Sequence, residues 1–235
     1  MTFQNFVERY KEDRRNRIKD STWESKGHII RTKLLPYFGR LKKKSREMLF
    51  WTKDEYLKFI DAMMDKPLSF YAFEMLYWCG IREGELLALT PEDFDFDKRT
   101  VTISKTFQHT GGKDIVTPPK TEKSNRTITM PLFLADEIQE YLKMQYDIGL
   151  DDRLFPITKS YLYREMQRGC KDTGVKRIRI HDLRHSHISL LIDQGFSAVA
   201  IADRVGHESI DITYQYAHLF PSKQLEMAER LDDLG

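Results

Sequence analysis

Apolar residues recur at helical spacing from the start of the chain. Phe3, Phe6, Val7 and Tyr10 form one such set, and Trp23, Ile29, Ile30 and Leu34 form another after Ser21-Thr22. One or two helices are expected over residues 3–35, ended by Pro36 and Gly39. Thr52 followed by Glu55 is a capping-box signature, and Tyr56, Leu57, Phe59, Ile60 and Met63 continue it as an apolar helix face. Residues 69–79, SFYAFEMLYWC, predict a deeply buried helix stopped by Gly80. Residues 81–89 predict a further short helix, and Thr90-Pro91 starts another turn. The period then changes to two. Residues 100–107, 114–117 and 125–130 read as three strands, with Gly111-Gly112 turning the chain between the first two. Helical spacing returns over residues 131–146, 160–170, 188–192 and 199–202, and over 223–234 at the end. The fold expected is mainly α with a small three-stranded antiparallel sheet, an α+β arrangement.

Charge changes the picture at one end only. The chain has 235 residues and a formal net charge of +2, but the first 50 residues carry a net +8 and the remainder a net −6. A basic leading segment suits a polyanion or a solvated helix equally. Lys42, Lys43, Lys44 and Arg46 read as an exposed linker, so the domain boundary is placed there, between residues 1–46 and 47–235. No apolar run reaches 18 residues and no secretory leader is expected. Cys79 and Cys170 lie far apart in helical surroundings, which fits a reducing cytoplasm rather than a disulfide framework.

The polar points are concentrated in HDLRHSHISLLIDQGFSAVAIADRVGHESIDITYQYAH, residues 181–218. His181 and Arg184 are three apart and share a helix face. Arg82 follows the Gly80 stop. Cations and imidazoles of this kind suit a phosphate, and a phenol beside them suits attack on phosphorus. Each point alone has a plainer reading: a salt bridge for Arg82, a helix-start hydrogen bond for His181, core packing for Tyr214 or Tyr216, a solvated turn for Lys120. A metal site at His181, His185 and His187 is disfavoured, since His185 and His187 point different ways on a helix and no Cys or carboxylate completes a set.

In order, however, GIREGELLAL, PPKTEKSNRTITM, HDLRHSH and VGHESIDITYQYAH resemble the tyrosine recombinase (phage integrase) family, particularly integrases of phages and conjugative elements of Gram-positive bacteria. The resemblance covers residues 47–235. Residues 2–39 resemble the beginning of the family's helical core-binding domain, whose second half is not recognisable before the basic linker. The resemblance implies a site-specific DNA recombinase that breaks and rejoins DNA through a 3′-phosphotyrosyl bond. It assigns Tyr216 as nucleophile, in the family's Tyr-x-His ending. Arg82, Arg184 and His207 would hold the phosphate, His181 would take or orient the phenolic proton, and Lys120 would protonate the leaving 5′-oxygen, with Lys123 its nearest competitor. Glu85 would orient an arginine, and His185 and His187 receive no role. Lys42, Lys43, Lys44, Lys123, Arg126 and Arg179 are the expected DNA contacts. The scheme needs neither metal nor ATP. The implied partners are double-stranded DNA and further copies of the chain in a tetrameric synapse, in the cytoplasm at the nucleoid. The shortened leading domain leaves an alternative: a DNA-binding remnant that nicks and closes DNA, like a type IB topoisomerase, or does not recombine.

Overall fold

The structure is a computed structural model that describes residues 3–14, 20–35, 48–119, 121–214, 216 and 231–232. It divides into two units, residues 1–47 and 48–235. Lys42, Lys43, Lys44, Lys120 and nearly all of the expected tail helix lie outside the described residues.

In the first unit, helix α1 (Phe3–Arg14) precedes helix α2 (Asp20–Ile29), which runs into a π-helical turn at Ile30–Leu34. Tyr10 lies between the two helices, its ring 6.5 Å from Phe6 and 6.2 Å from Trp23. Val7 and Ile30 are buried.

The second unit opens with helix α3 (Lys53–Asp61). Its capping box forms as the sequence predicts: the Glu55 amide donates to Thr52 Oγ1 at 3.3 Å, and the Thr52 amide donates to Glu55 Oε2 at 2.8 Å. Helix α4 (Pro67–Cys79) is apolar on nearly every side because it is surrounded, with Phe73, Met75, Leu76 and Tyr77 fully buried. Tyr77 stacks on Tyr56 of α3 at 3.6 Å between ring centres. Gly80 ends α4 in the left-handed conformation at φ 61°. A β-carbon there would lie 2.4 Å from the His187 ring, so glycine serves both the turn and the close approach. The expected helix at residues 81–89 is a single turn, α5 (Glu83–Leu86), followed by a 3₁₀ turn at Pro91–Asp93.

The sheet is three-stranded and antiparallel, but its membership differs from the expectation. Its order is β1 (Phe94–Asp95), β2 (Thr100–Ile103) and β5 (Arg126–Thr129). The apolar alternation over residues 100–107 is split. Lys105 turns aside to pair with Asp93 at 2.9 Å and to donate to Thr90 Oγ1 at 2.8 Å. The chain then starts a separate hairpin, β3 (Thr106–Thr110) with β4 (Lys113–Thr117), closed by Gly111-Gly112. Periodicity does not distinguish one long strand from two consecutive strands in separate sheets.

Helices α6 (Leu132–Met144) and α7 (Lys159–Thr173) cover the core. The loop between them is anchored by the fully buried Leu154 and Phe155. Helices α8 (Asp182–Asp193), α9 (Ala198–Val205) and α10 (Ile210–Tyr214) complete the described fold. Ile188, Ile192, Ile201, Val205 and Tyr216 form a second, smaller apolar cluster. Among the described residues no helix is long and apolar enough to cross a membrane.

Candidate active site

Two helix ends position the arginines. The carbonyls at a helix C-terminus lack intrahelical partners and carry the negative end of the helix dipole, so they attract cations. Arg184, on the first turns of α8, donates from Nη1 to the Gly80 carbonyl at the end of α4, at 2.9 Å. From Nη2 it donates to the Val205 carbonyl at the end of α9. Arg82, which caps α5, donates from Nη2 to the Gly206 carbonyl at 3.0 Å. Gly206 itself takes the left-handed conformation at φ 68°. A β-carbon on it would meet the Lys123 carbonyl at 2.7 Å.

Glu85 links the arginines into one group. It accepts from Arg82 Nη1 at 2.6 Å and from Arg126 Nη2 at 2.9 Å. Burial would push its carboxyl up, but Arg126 and Arg82 together hold it below the usual carboxylate range. The Arg126 side chain is 6% exposed and also donates from Nε to the Arg204 carbonyl at 3.0 Å. Arg184 has no carboxylate within ion-pair distance among the described residues. Burial first, then the charges of Arg82 and Arg126, push it down to about 9. A guanidinium at that value still carries its charge at neutral pH. The cluster therefore holds three cations around one carboxylate, an imbalance that an anion would neutralise.

The histidines sit against this positive field and are held neutral. His207 is buried, with Nδ1 2.7 Å from Thr213 Oγ1, and burial followed by Arg184 and Arg82 lowers it to about 4. His181 precedes α8 and is solvent-accessible; partial desolvation, then the Arg184 charge, lowers it as well. His185 is lowered to about 4 by burial and by His181, whose ring centre is 5.1 Å away. Tyr216 is 3% exposed and its hydroxyl meets His185 Nδ1. Burial pushes the phenol up to about 12, with Arg184 pulling it down and Asp182 pushing it up.

The fold thus gathers Arg82, His181, Arg184, His207 and Tyr216 from four separate segments. Lys120 falls outside the described residues, although its neighbours Pro119 and Thr121 line a cavity of about 380 Å³ with Arg82 and Gly206. A larger groove of about 650 Å³ runs past Arg82, Gly84, Thr106, Gln108, Lys159 and His181. Of the expected DNA contacts, Lys123 and Arg179 are exposed, although Arg179 donates from Nη2 to Asp182 at 2.6 Å. Arg126 is an internal clamp on Glu85 rather than a surface cation. Its sequence position, in a strand after a lysine-rich loop, gave no hint of the carboxylate 41 residues earlier that claims it. Sequence reasoning weighed His185 only as a disfavoured metal ligand and gave it no role, and it passed over Asp182 and Arg204. Arg204 donates to His187 Nε2 at 3.1 Å and to the Thr129 and Trp78 carbonyls, tying α9 to β5 and α4. Among the described residues no group of three or more His, Cys, Asp or Glu is placed to hold a metal ion.

Residues 49–223 match the phage integrase family, and residues 2–44 match its N-terminal SAM-like domain. The chain belongs to the phage integrase family. It is 35% identical over 210 residues to the ICEBs1 integrase of Bacillus subtilis, covering 83% of this chain and 57% of that one. It is 29% identical over 192 residues to a prophage phiRv2 integrase of Mycobacterium tuberculosis, covering 78% and 51%. The chain thus spans about half the length of the curated relatives it matches. In fold it is similar to the Tn1549 transposon integrase solved in complex with circular intermediate DNA, with a TM-score of 0.69 and 19% identity over all of this chain and 81% of that one. It is also similar to the catalytic domain of bacteriophage HP1 integrase, with a TM-score of 0.56 and 20% identity over 78% and 95%.

Proposed function

We propose that this integrase-family chain is a site-specific DNA recombinase of a mobile element, cleaving and rejoining duplex DNA through a 3′-phosphotyrosyl intermediate. The observation that carries the reading is the buried Tyr216 phenol within the field of Arg184, near the Arg82 and Arg126 guanidiniums that share the Glu85 carboxylate. Tyr216 Oη attacks the scissile phosphorus, a new O–P bond forms, and the bond to the 5′-oxygen breaks. Arg82 and Arg184 bind the non-bridging oxygens, whose charge grows in the pentacovalent state. His207 donates from Nε2 when Nδ1 accepts from Thr213, and His181, on the groove lining, takes or orients the proton that leaves the phenol. Lys120 delivers the proton to the departing 5′-oxygen. The phosphotyrosyl bond conserves the energy of the broken linkage, so the second strand's 5′-hydroxyl rejoins it without ATP. The exposed Lys123 and the basic linker at Lys42, Lys43 and Lys44 hold the DNA backbone. Further copies complete a tetrameric synapse on DNA in the cytoplasm, at the nucleoid.

The test is a suicide duplex spanning a mobile-element junction, with a 5′-bridging phosphorothiolate at the scissile position, run on a denaturing gel. A covalent adduct that disappears in Tyr216→Phe and survives Tyr214→Phe is expected. An adduct that persists in Tyr216→Phe overturns the nucleophile. Adduct with relaxation of supercoiled DNA but no strand exchange would instead establish the nicking-closing activity that the short first unit favours.

A further inference from the structure

Tyr216 Oη has one described side-chain partner, and it is not the residue that the family resemblance assigns to its proton. The partner is His185, on the helix turn after His181. Burial keeps the phenol protonated and the imidazole neutral, so the phenol donates and Nδ1 accepts. The proton of the neutral ring then resides on Nε2. That nitrogen lies 3.7 Å from Oδ1 of Asp182, a fully buried carboxylate. Asp182 is in turn fixed by Arg179, whose main-chain amide donates to it at 2.8 Å and whose Nη2 donates at 2.6 Å. A negative charge facing Nε2 favours the Nε2–H tautomer and leaves Nδ1 free to accept. The Tyr216 ring belongs to the apolar cluster of Ile188, Ile192, Ile201 and Val205, so apolar packing holds the ring and, among the described residues, the His185 contact holds its oxygen.

We propose that His185, aligned by Asp182, is the positioning residue that aims the Tyr216 hydroxyl within the field of Arg184. This rests on Tyr216 being the nucleophile. Full proton transfer to His185 is not part of the assignment, because the neutral imidazole is far too weak a base for this phenol. The role is to choose one rotamer of the C–O–H group and one place for the oxygen before the phosphate arrives.

Two measurements test it. With the suicide duplex, His185→Ala should slow adduct formation by about tenfold, the weight of one hydrogen bond, while gel-shift affinity and the thermal midpoint stay near those of the parent chain. His185→Asn, whose amide oxygen reaches the Nδ1 position, should recover most of the rate. His185→Phe, which keeps the ring and loses the acceptor, should not. An unchanged rate in His185→Ala, or equal slowing in the Ala and Asn variants, overturns the proposal. The second measurement needs no DNA. In ¹⁵N-histidine-labelled protein, the His185 signals, assigned by their loss in His185→Asn, should show an unprotonated Nδ1 whose shift moves in Tyr216→Phe. A proton on Nδ1, or no response to Tyr216→Phe, overturns it. If the parent chain forms no adduct while this response is present, the nucleophile reading fails and the hydrogen bond stands.

Discussion

Glu85 divides one carboxylate between Arg82, which is part-exposed, and Arg126, which is not. Removing it leaves the Arg126 charge buried with main-chain carbonyl partners and no counter-charge. Glu85→Ala is expected to cost about 3–5 kcal/mol, read as a lower urea midpoint, and to abolish adduct formation. Glu74 carries a different liability. It is buried on α4, accepts from Tyr56 Oη at 2.6 Å, and is pushed up to about 7 by burial. An unfolded glutamate releases its proton near 4.5. Between those values the folded chain retains a proton that the unfolded chain has lost, so stability falls as pH rises through this window. Above it the full penalty applies, about 3 kcal/mol. Glu74→Gln keeps the acceptor and removes the charge. Urea titrations should therefore show the variant equal to the parent below pH 4.5 and more stable at pH 8. Arg82, His181, Arg184, His207 and Tyr216 became candidates through the resemblance of their motifs, taken in order, to the tyrosine recombinase family, because each alone has a plainer reading. The roles of Arg126 and His185 were not legible in this way. What decides their roles is which atom a folded neighbour presents, and the neighbours lie 41 and 31 residues away.

Helix ends, more than helix faces, build the site. The α4 helix and its Gly80 stop, and the capping box of α3, could be read from local chemistry alone. The split strand could not, because Lys105 leaves the sheet for a contact with Asp93 that no periodicity encodes. Gly206 shows how tightly the pieces meet. Its left-handed backbone and the 2.7 Å approach to the Lys123 carbonyl leave no room for a side chain. Gly206→Ala is expected to cost at least about 1 kcal/mol in stability. It should also slow adduct formation, because the loop joining β4 to β5 and the carbonyl that receives Arg82 are both displaced. A combined urea and adduct assay checks both effects.

At the scale of the molecule, the large apolar core and the smaller cluster around Tyr216 are built from residues between Met48 and Tyr216. Residues 48–235 expressed alone should therefore unfold in a single thermal transition, with a midpoint within about 2–4 °C of the full chain's. The same fragment lacks the strongly basic first segment, so its DNA affinity should be lower. Its dependence on salt should also be shallower in a plot of log affinity against log salt, because fewer counterions are released. Arg82 and Arg184 add a last point about how such a site persists. Three of the acceptors that aim them are the main-chain oxygens of Gly80, Val205 and Gly206. A peptide oxygen is present whatever codon occupies the position, so mutational drift cannot delete it. Alanine at Val205 leaves its oxygen in place, and alanine at either glycine moves the oxygen without removing it, so replacing single amides with esters by chemical synthesis is the way to weigh these acceptors themselves.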